Sequence, residues 1–262
     1  MYEDTFVTSN FIGEYGQSPT NMLLSSKPLI DPVYINITQQ HQNYIHPNDQ
    51  VIIIPDKNKN KYKCIPSKFL ATVRTLWDTH VNQDSVVDPI TITYCPYTLS
   101  TIIYKGNWRA SGLLYNSNTV LTNSNCSELL VQLLGKIVYS QHNNFRCIER
   151  YSPQIFTWSE WRQSDYFNNT KMIANFCLSM YTSNLFPIVN PLQNQQYLGN
   201  RNQECVGIGF FDNTQEGYLF ISKETNESIA LLQKFSRNIN NVLSVECKLG
   251  IWIACFPYSK IL

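Results

Sequence analysis

The sequence predicts one α+β domain that is rich in antiparallel strands and has two longer helices, with a mainly β fold as the alternative. Short runs of β-branched and aromatic residues recur along the chain between turn residues. Two longer segments repeat apolar residues at helical spacing instead. The chain has 262 residues and is 43% hydrophobic. A chain of this length and composition can bury one large hydrophobic core, so we predict that residues 1–262 form a single domain.

Seven segments have the composition of β-strands. Each contains four to eight residues, is rich in β-branched or aromatic types, and is bounded by turn-forming residues. Such segments pair most simply as antiparallel neighbours when short turns separate them. They comprise residues 51–54, 90–94, 101–104, 136–140, 206–211, 217–222 and 250–255.

Two segments are predicted to be helical. The first covers residues 67–80 and follows Pro66, with Ser67 as a candidate N-cap. The second covers residues 228–242. In both, the apolar side chains recur three or four positions apart, which places them on one helix face that covers a sheet. The first stripe comprises Phe69, Leu70, Val73, Leu76 and Trp77, and the second comprises Ile229, Leu232, Phe235, Ile239 and Val242.

Each predicted helix follows a predicted pair of strands. Two units, residues 51–80 and 206–243, therefore share the order strand, polar turn, strand and helix. Identical residues also recur between the units at one constant offset. The matched residues are Asp56 with Asp212, Tyr62 with Tyr218, and Ile65 with Ile221. Our hypothesis is that two related hairpin-plus-helix units pack within the one domain.

Lysines alternate along the first of these hairpins, at Lys57, Lys59, Lys61 and Lys63. Alternate residues of a strand share one face, so the four ammonium groups are predicted to lie together. A phosphate-binding patch is one interpretation. No aromatic platform or arginine accompanies the lysines, which favours the other interpretation, a solvated turn.

The charge balance argues against two classes of partner. The chain has 20 Lys and Arg against 19 Asp and Glu, a formal net charge of +1. Nucleic-acid binders carry a positive excess that neutralises phosphates, so we expect no nucleic-acid partner. The apolar runs are far shorter than the ~20 residues that cross a bilayer, so we expect no membrane association. Acidic residues near Met1 argue against a signal peptide, and we expect a soluble intracellular protein.

The surface composition favours contacts with other proteins. Charged residues make up 15% of the chain, whereas neutral amides and tyrosines are abundant. Neutral polar side chains and tyrosines suit protein interfaces, because charged residues are depleted at interface cores. We therefore expect protein partners or self-association. The coding bias of an AT-rich genome is the alternative explanation for the abundance of Asn, Ile, Lys and Tyr.

The sequence lacks the common patterns for metals and cofactors. Its eight cysteines form no Cys-x-x-Cys pair, and its four histidines stand apart from cysteines and carboxylates. It has no G-x-S-x-G motif, no phosphate loop and no complete G-x-G-x-x-G motif. We expect no metal and no cofactor, and free, mostly buried thiols.

The most distinctive motifs lie in the middle of the chain. They are T-Y-C-P at residues 93–96, S-G-L-L-Y-N-S at residues 111–117, Gln132, and the W-x-x-W pair Trp158 and Trp161. In order and spacing they resemble the prokaryotic family catalogued as domain of unknown function DUF3179. Members of that family carry T-Y-C-P-L-C, S-G-L-L-Y-N-S, S-L-W-S-Q and W-x-x-W segments. The resemblance covers residues 11–232, and it implies a shared fold without an assigned activity.

The chain departs from the pattern of that family at positions where the family has cysteine, histidine or acidic residues, which are the residue types that catalysis and metal binding use. Thr98 stands where the family has a second cysteine, and Asp78 stands where it has a histidine. Disulfide cycling or soft-metal binding needs two thiolates held together, which one thiol cannot supply. Asn118 and Asn123 stand where the family has acidic residues, so two candidate general bases are lost. The resemblance therefore implies that any active site of the family is eroded here.

Cys95 is the candidate catalytic residue. A cysteine before proline at a strand end acts as a nucleophile if a cation or a helix N-terminus stabilises its thiolate; the alternative is a buried structural cysteine. Tyr115 and Asn116 either present polar groups to a ligand or satisfy a turn. Trp158 and Trp161 share a helix face that serves packing or binding. The candidate binding residues are Ser111, Tyr115, Asn116, Gln132, Trp158 and Trp161.

Two functions from different classes remain open at this point. The first is a non-enzymatic structural or assembly protein derived from the family, in its specific form a virion or capsid-associated component of a large DNA virus. The second is a thiol-dependent redox or metal-binding protein. It would use Cys95 with another cysteine, such as Cys64 or Cys126, that folding brings close.

Overall fold

The computed structural model describes ten stretches of the chain and the secondary structure within them. The stretches are residues 11–13, 27–56, 61–81, 87–115, 118–151, 153–174, 204–210, 218–222, 242–248 and 260–261. The strands are β1 (Phe11–Gly13), β2 (Leu29–Ile30), β3 (Tyr34–Asn36), β4 (Gln50–Pro55), β5 (Tyr62–Pro66), β6 (Thr75–Val81), β7 (Val87–Cys95), β8 (Ser100–Lys105), β9 (Arg109–Tyr115), β10 (Asn118–Thr122), β11 (Glu128–Val131), β12 (Lys136–Ser140), β13 (Arg150–Tyr151), β14 (Gln154–Thr157), β15 (Thr170–Ile173), β16 (Glu204–Phe210), β17 (Tyr218–Ser222), β18 (Val242–Lys248) and β19 (Lys260–Ile261). The helices are α1 (Gln39–Tyr44), α2 (Ser67–Val73) and α3 (Trp158–Arg162), with a 3-10 turn at Phe167–Asn169.

The described strands form four sheets. Sheet A has the order β1-β9-β10-β11-β12, sheet B the order β13-β8-β7-β6-β2, sheet C the order β14-β4-β5-β15-β3, and sheet D the order β18-β16-β17-β19. Pairing is antiparallel except between β2 and β6, β5 and β15, and β17 and β19. The strand-rich class and its antiparallel pairing are therefore confirmed.

Sheet C is buried on both faces by apolar side chains. On β4, Ile52 and Ile54 pack towards sheet B and helix α2, where they meet Ile65 and Phe69. The alternate residues of β4 pack on the opposite face. There they meet the tryptophans of α3, in a cluster that contains Val51, Ile53, Cys64, Met172, Trp158 and Trp161. The continuous apolar run of β4 is explained by this burial on two sides.

Most of the predicted strands are confirmed, with modest changes at their ends. The segments predicted at 51–54, 90–94, 101–104 and 136–140 lie in β4, β7, β8 and β12. Those predicted at 206–211 and 217–222 lie in β16 and β17, apart from their undescribed outer residues. The segment predicted at 250–255 lies outside the described residues.

The first predicted helix is wrong beyond Val73. Helix α2 ends there, because Arg74 has a φ of +65° and turns the chain out of the helix. Residues from Thr75 onward form β6, which lies between β7 and β2. Leu76 is fully buried and Trp77, on the opposite face of the strand, is half-buried. The side chains therefore alternate between the two faces of a strand and do not share one face of a helix. Pro66 is the N-cap, and Ser67 donates instead to the carbonyl of Gln50 at 2.7 Å.

The second predicted helix and the second repeat unit are described only in part. Residues 228–241 lie outside the described residues, and Val242 begins strand β18, so that end of the prediction is wrong. Antiparallel hairpins are present in both units, as β4–β5 and as β16–β17. The relation between the units stays a prediction, because no helix is described after the second hairpin.

A buried ion pair ties sheet B to sheet C. Lys63 on β5 donates to Asp78 on β6 at 2.7 Å, and the two side chains are 10% and 8% exposed. Tyr34 on β3 donates its hydroxyl to the other carboxylate oxygen of Asp78 at 2.8 Å. The ammonium of Lys63 also lies 5.0 Å from the centre of the Tyr34 ring. The prediction that Lys63 lies in a solvated turn is wrong; Lys57 and Lys59 lie outside the described residues.

We predict that Lys63→Met destabilises the chain by about 3–5 kcal/mol, because it leaves the Asp78 carboxylate buried without its cation. The matched control is Lys68→Met, since Lys68 pairs with Asp49 at the same 2.7 Å but is 50% exposed. That control should cost at most about 1 kcal/mol. Urea unfolding followed by circular dichroism measures both. Equal losses would show that burial does not set the strength of the Lys63 pair.

We also predict that Tyr34→Phe makes stability less sensitive to alkali. Burial, and then the charge of Asp78, raises the pKa of the Tyr34 phenol well above its usual range. Above about pH 10 the phenol ionises in the unfolded chain but stays protonated in the folded one. The unfolded chain then binds fewer protons, so stability falls as pH rises. Urea unfolding between pH 9 and pH 11 should show a shallower fall for the variant; parallel curves would contradict this explanation.

Candidate functional site

Two of the residues that the sequence singled out, Cys95 and Gln132, lie where sheet A packs on sheet B. Cys95 is the last residue of β7, as the strand-end prediction required, and its side chain is fully buried. Its sulfur accepts a hydrogen bond from the backbone N–H of Thr119 on β10 at 3.3 Å. It packs with Tyr97 and Leu114 in a small apolar cluster. The thiol is therefore held inside the protein and not at a surface.

Gln132 lies at the centre of a buried polar network. It follows β11 of sheet A, and its side chain reaches into sheet B with no exposed surface. Its amide nitrogen donates to the hydroxyl of Thr93 and to the carbonyl of Ser100, both at 3.1 Å. Its amide oxygen accepts from the Ser100 hydroxyl and from the Asn118 amide, both at 2.8 Å. Four hydrogen bonds thus use all the principal bonding positions of the side chain.

The backbone N–H and carbonyl of Gln132 are also hydrogen-bonded. Its N–H donates to the carbonyl of Thr119 at 3.0 Å, and its carbonyl accepts from the hydroxyl of Tyr104. Complete burial raises the pKa of Tyr104 to about 12, although the charge of Arg150 acts in the opposite direction. The phenol therefore remains a neutral donor at neutral pH.

Thr98, which stands where the family resemblance places a second cysteine, belongs to the same network. Its hydroxyl lies 2.6 Å from the Ser100 hydroxyl and accepts from the Asn118 amide at 3.4 Å. The side-chain oxygen of Asn118 in turn accepts from the backbone N–H of Leu133 at 2.7 Å. Threonine and asparagine at these positions therefore supply neutral hydrogen bonds between strands.

Ser111 and Gly112 form a β-bulge in the S-G-L-L-Y-N-S motif. Leu113 is paired with Val120, but the next pair joins Ala110 to Leu121, so two residues of β9 have no counterpart on β10. Gly112 has a φ of +80°, a conformation that favours glycine. The Ser111 hydroxyl donates to the carbonyl of Val120 at 2.7 Å and accepts from the N–H of Leu113 at 3.1 Å. Its local role is to satisfy the backbone of the bulge.

Tyr115 ends β9 and is half-buried, where it pairs with Phe11 and Asn118. Asn116 lies outside the described residues. The structure therefore places Tyr115 beside Asn118 of the Gln132 network, but it does not describe the turn that follows.

Trp158 and Trp161 do not belong to the cluster around Cys95. They pack against the face of sheet C that points away from sheet B. Both belong to α3 and are 0% and 2% exposed, as the shared helix face predicts. A capping box starts this helix: the Thr157 hydroxyl accepts from the Glu160 N–H at 3.2 Å, and the Glu160 carboxylate accepts from the Thr157 N–H at 2.7 Å. The ring centroids of Trp161 and Phe156 lie 5.2 Å apart. The pair anchors α3 in the core.

Three features of the described residues concern metal-binding clusters, membrane-spanning helices and disulfide bonds. Among the described residues, no group of three or more His, Cys, Asp or Glu side chains is arranged to hold a metal ion. The described helices also lack the length and apolar character of a membrane span. Cys64, Cys95, Cys126 and Cys147 form no disulfide bond, and Cys147 is the exposed one among these four described cysteines.

Sequence reasoning missed several members of the site. The sequence indicates the loss of an acidic group at Asn118, whereas in the structure Asn118 bridges Thr98, Gln132 and Leu133. Ser100 gives no signal, because isolated hydroxyl residues in strands are common, and Thr93 belongs to the T-Y-C-P motif but nothing in the sequence connects it with Gln132. Nothing in the sequence connects Asp78 with Lys63, its partner in the buried ion pair.

The fold and motifs define a strand-rich domain whose characteristic polar residues are buried between its sheets. Residues 27–177 match the family model described as Protein of unknown function (DUF3179). The match spans more than half of the chain, and the chain belongs to this family. It includes β2 to β15 and every candidate site residue, whereas sheet D lies outside it. No curated protein and no solved structure matches the chain.

We predict that Gln132→Leu destabilises the chain by about 3 kcal/mol, because it leaves buried groups of Thr93, Ser100 and Asn118 without their partner. The control is Gln141→Leu, since Gln141 is exposed and its structural hydrogen bond is made by the backbone. That substitution should change stability by less than about 0.5 kcal/mol. Urea unfolding measures both; a silent Gln132→Leu would mean that the network does not hold the sheets together.

Proposed function

We propose that this chain is a non-enzymatic structural component of a protein assembly, which has retained the family fold for its shape. The supporting observation is the internal satisfaction of Gln132. All of its side-chain bonds go to Thr93, Ser100 and Asn118, so the amide has no group directed to a substrate. A binding residue must instead offer a donor or acceptor to its ligand.

Cys95 supports the same proposal. A nucleophilic cysteine needs access to substrate and a group that stabilises its thiolate. Cys95 has no exposed surface, so its sulfur is not accessible to a substrate from solution. Thr98 has a hydroxyl and no thiol, so it cannot form a pair of thiolates with Cys95. Its hydroxyl is bonded to Ser100 within the network.

The specific form of the proposal is a virion or capsid-associated component of a large DNA virus. The support is compositional: low charge, abundant neutral amides and tyrosines, and the residue usage of an AT-rich genome. Partners are expected to be proteins or further copies of the chain, without nucleic acid. The location would then be the virion or the cytoplasm of the host.

The competing function is a thiol-dependent redox or metal-binding protein that uses Cys95. Its partner would be Cys64 or Cys126 among the described cysteines. Cys64 is also fully buried, in the apolar cluster on the other face of sheet C, and burial raises the pKa of its thiol far above the usual value. A neutral buried thiol is a poor nucleophile and a poor metal ligand.

We predict that a thiol reagent labels Cys147 in the native protein and leaves Cys95 and Cys64 unmodified until urea unfolds the chain. The reason is burial of the latter two and exposure of the first. Peptide mapping by mass spectrometry identifies the labelled residues, and Cys147→Ser serves as the control that removes the fast reaction. Native labelling of Cys95 at the rate of Cys147 would favour the redox function.

Native mass spectrometry of the purified chain tests the assembly proposal directly. We expect a chain without bound metal or small molecule that forms an oligomer or associates with a larger particle. The Cys95→Ser variant should have the same native mass. A monomer that carries a metal, and loses it on Cys95→Ser, would overturn the proposal in favour of the competing function.

A further inference from the structure

The segment that contains β2 and β3 forms the edge of two sheets. Among the described strands, β2 is the last strand of sheet B and pairs with β6, while β3 is the last strand of sheet C and pairs with β15. Ile30, Val33 and Ile35 along this segment are 56%, 61% and 39% exposed. They are three of the six large apolar side chains that are exposed among the described residues. Such a concentration of apolar surface at a sheet edge is a typical site of strand addition.

The backbone of β3 offers hydrogen bonds on its outer side. Ala174 donates to the carbonyl of Val33 at 2.7 Å, and Ile35 lies opposite Met172 two residues further along the same ladder. In an antiparallel pair, hydrogen-bonded residues alternate with those whose backbone groups point the other way. The N–H and C=O groups of Tyr34 and Asn36 therefore point away from β15, out of the sheet.

We propose that a second copy of this chain pairs with β3 in antiparallel orientation about a two-fold axis at Ile35. This geometry places Tyr34 opposite Asn36 of the other copy, and Asn36 opposite its Tyr34. Those are the two residues whose backbone groups point outward, so four hydrogen bonds form without moving either strand. Sheet C thereby continues from one copy into the next.

The side chains fit the same symmetry. Ile35 meets itself across the axis at a non-hydrogen-bonded position, where opposing side chains are closest. Val33 lies opposite Ile37 of the other copy, and Ile37 already packs against the cluster that contains the two tryptophans of α3. Val33 and Ile35 of each copy are therefore covered by the same strand of its partner, as a two-fold interface requires.

The charge of the edge favours an identical partner. A two-fold axis brings identical residues close together, so any lysine or aspartate on the strand would face its own copy and repel it. Residues 32–38 contain no charged side chain. Exposed edge strands are commonly protected by lysines, and this strand lacks them.

The neighbouring residues limit the paired segment to five residues. Pro32 has no N–H to donate. On the other side, the N–H of Thr38 is used by the Nδ1 atom of His41 at 3.0 Å, within the cap of α1. The pairing therefore stops at residues 33–37. An interface of this length is small, so we expect association that depends on protein concentration.

Sedimentation velocity of the full chain over a range of concentrations tests the proposal. We expect the wild type to pass from monomer to dimer as concentration rises. Ile35→Lys introduces a charge on the axis, and Asn36→Pro removes one outward N–H without touching the ladder to β15. Each variant should remain a monomer at every concentration at which the wild type dimerises.

The matched control is Phe145→Lys, because Phe145 is 57% exposed and lies away from β3 in the loop after β12. It should associate like the wild type, and circular dichroism should show that all three variants are folded. A wild type that stays monomeric, or an Ile35→Lys variant that still dimerises, overturns the proposal.

The inference identifies the partner within the proposed assembly function and rests on it, but the two fail differently. If the chain assembles and the edge variants assemble equally well, the edge pairing is wrong and the assembly function stands. If a metal or small molecule is bound through Cys95, the assembly function is wrong whatever the edge strand does.

Discussion

The packing of sheet A on sheet B depends on the side chain of Gln132. It crosses from the end of β11 to β7 and β8, where Thr93 and Ser100 bond it. A buried amide without partners is costly, whereas a fully bonded one defines a single arrangement of the groups around it. The network therefore sets which residues of sheet B face which residues of sheet A. Its position inside the family motifs explains why those motifs are polar although they are buried.

The contact between sheets B and C follows a different principle, because it combines an apolar core with one buried ion pair. Most of that contact is made by Ile52, Leu76 and their neighbours, which have no directional preference. The pair of Lys63 and Asp78 adds direction: the ammonium reaches the carboxylate only when β5 and β6 have one relative position. Tyr34 extends the same constraint to β3. Such a pair favours specificity of packing more than net stability.

Local composition predicted the strands well and the end of the first helix badly. The run at 51–54 is unambiguous, because burial on both faces of sheet C demands apolar residues at successive positions. Leu76 and Trp77 fit a helical stripe and a strand equally well, and only the φ of Arg74 and the pairing with β7 decide between them. For the site, the sequence located Cys95, Gln132 and the tryptophans but not their partners. Partners such as Asn118 come together through sheet packing, which periodicity does not encode.

Under the proposed assembly function the chain interacts through its backbone and its apolar edges, because the polar groups of the Gln132 network are bonded to one another. Thr98 is part of this internal bonding, because its hydroxyl lies 2.6 Å from the hydroxyl of Ser100. The Gln132 network joins sheets A and B. The pair of Lys63 and Asp78 joins sheets B and C, and Tyr34 connects β3 to that pair at the edge of the described sheet C. An edge that is already extended loses little conformational entropy when another strand pairs with it. The proposed assembly function would use this extended edge, whereas a catalytic function would need some of the polar groups of the network to be available to a substrate.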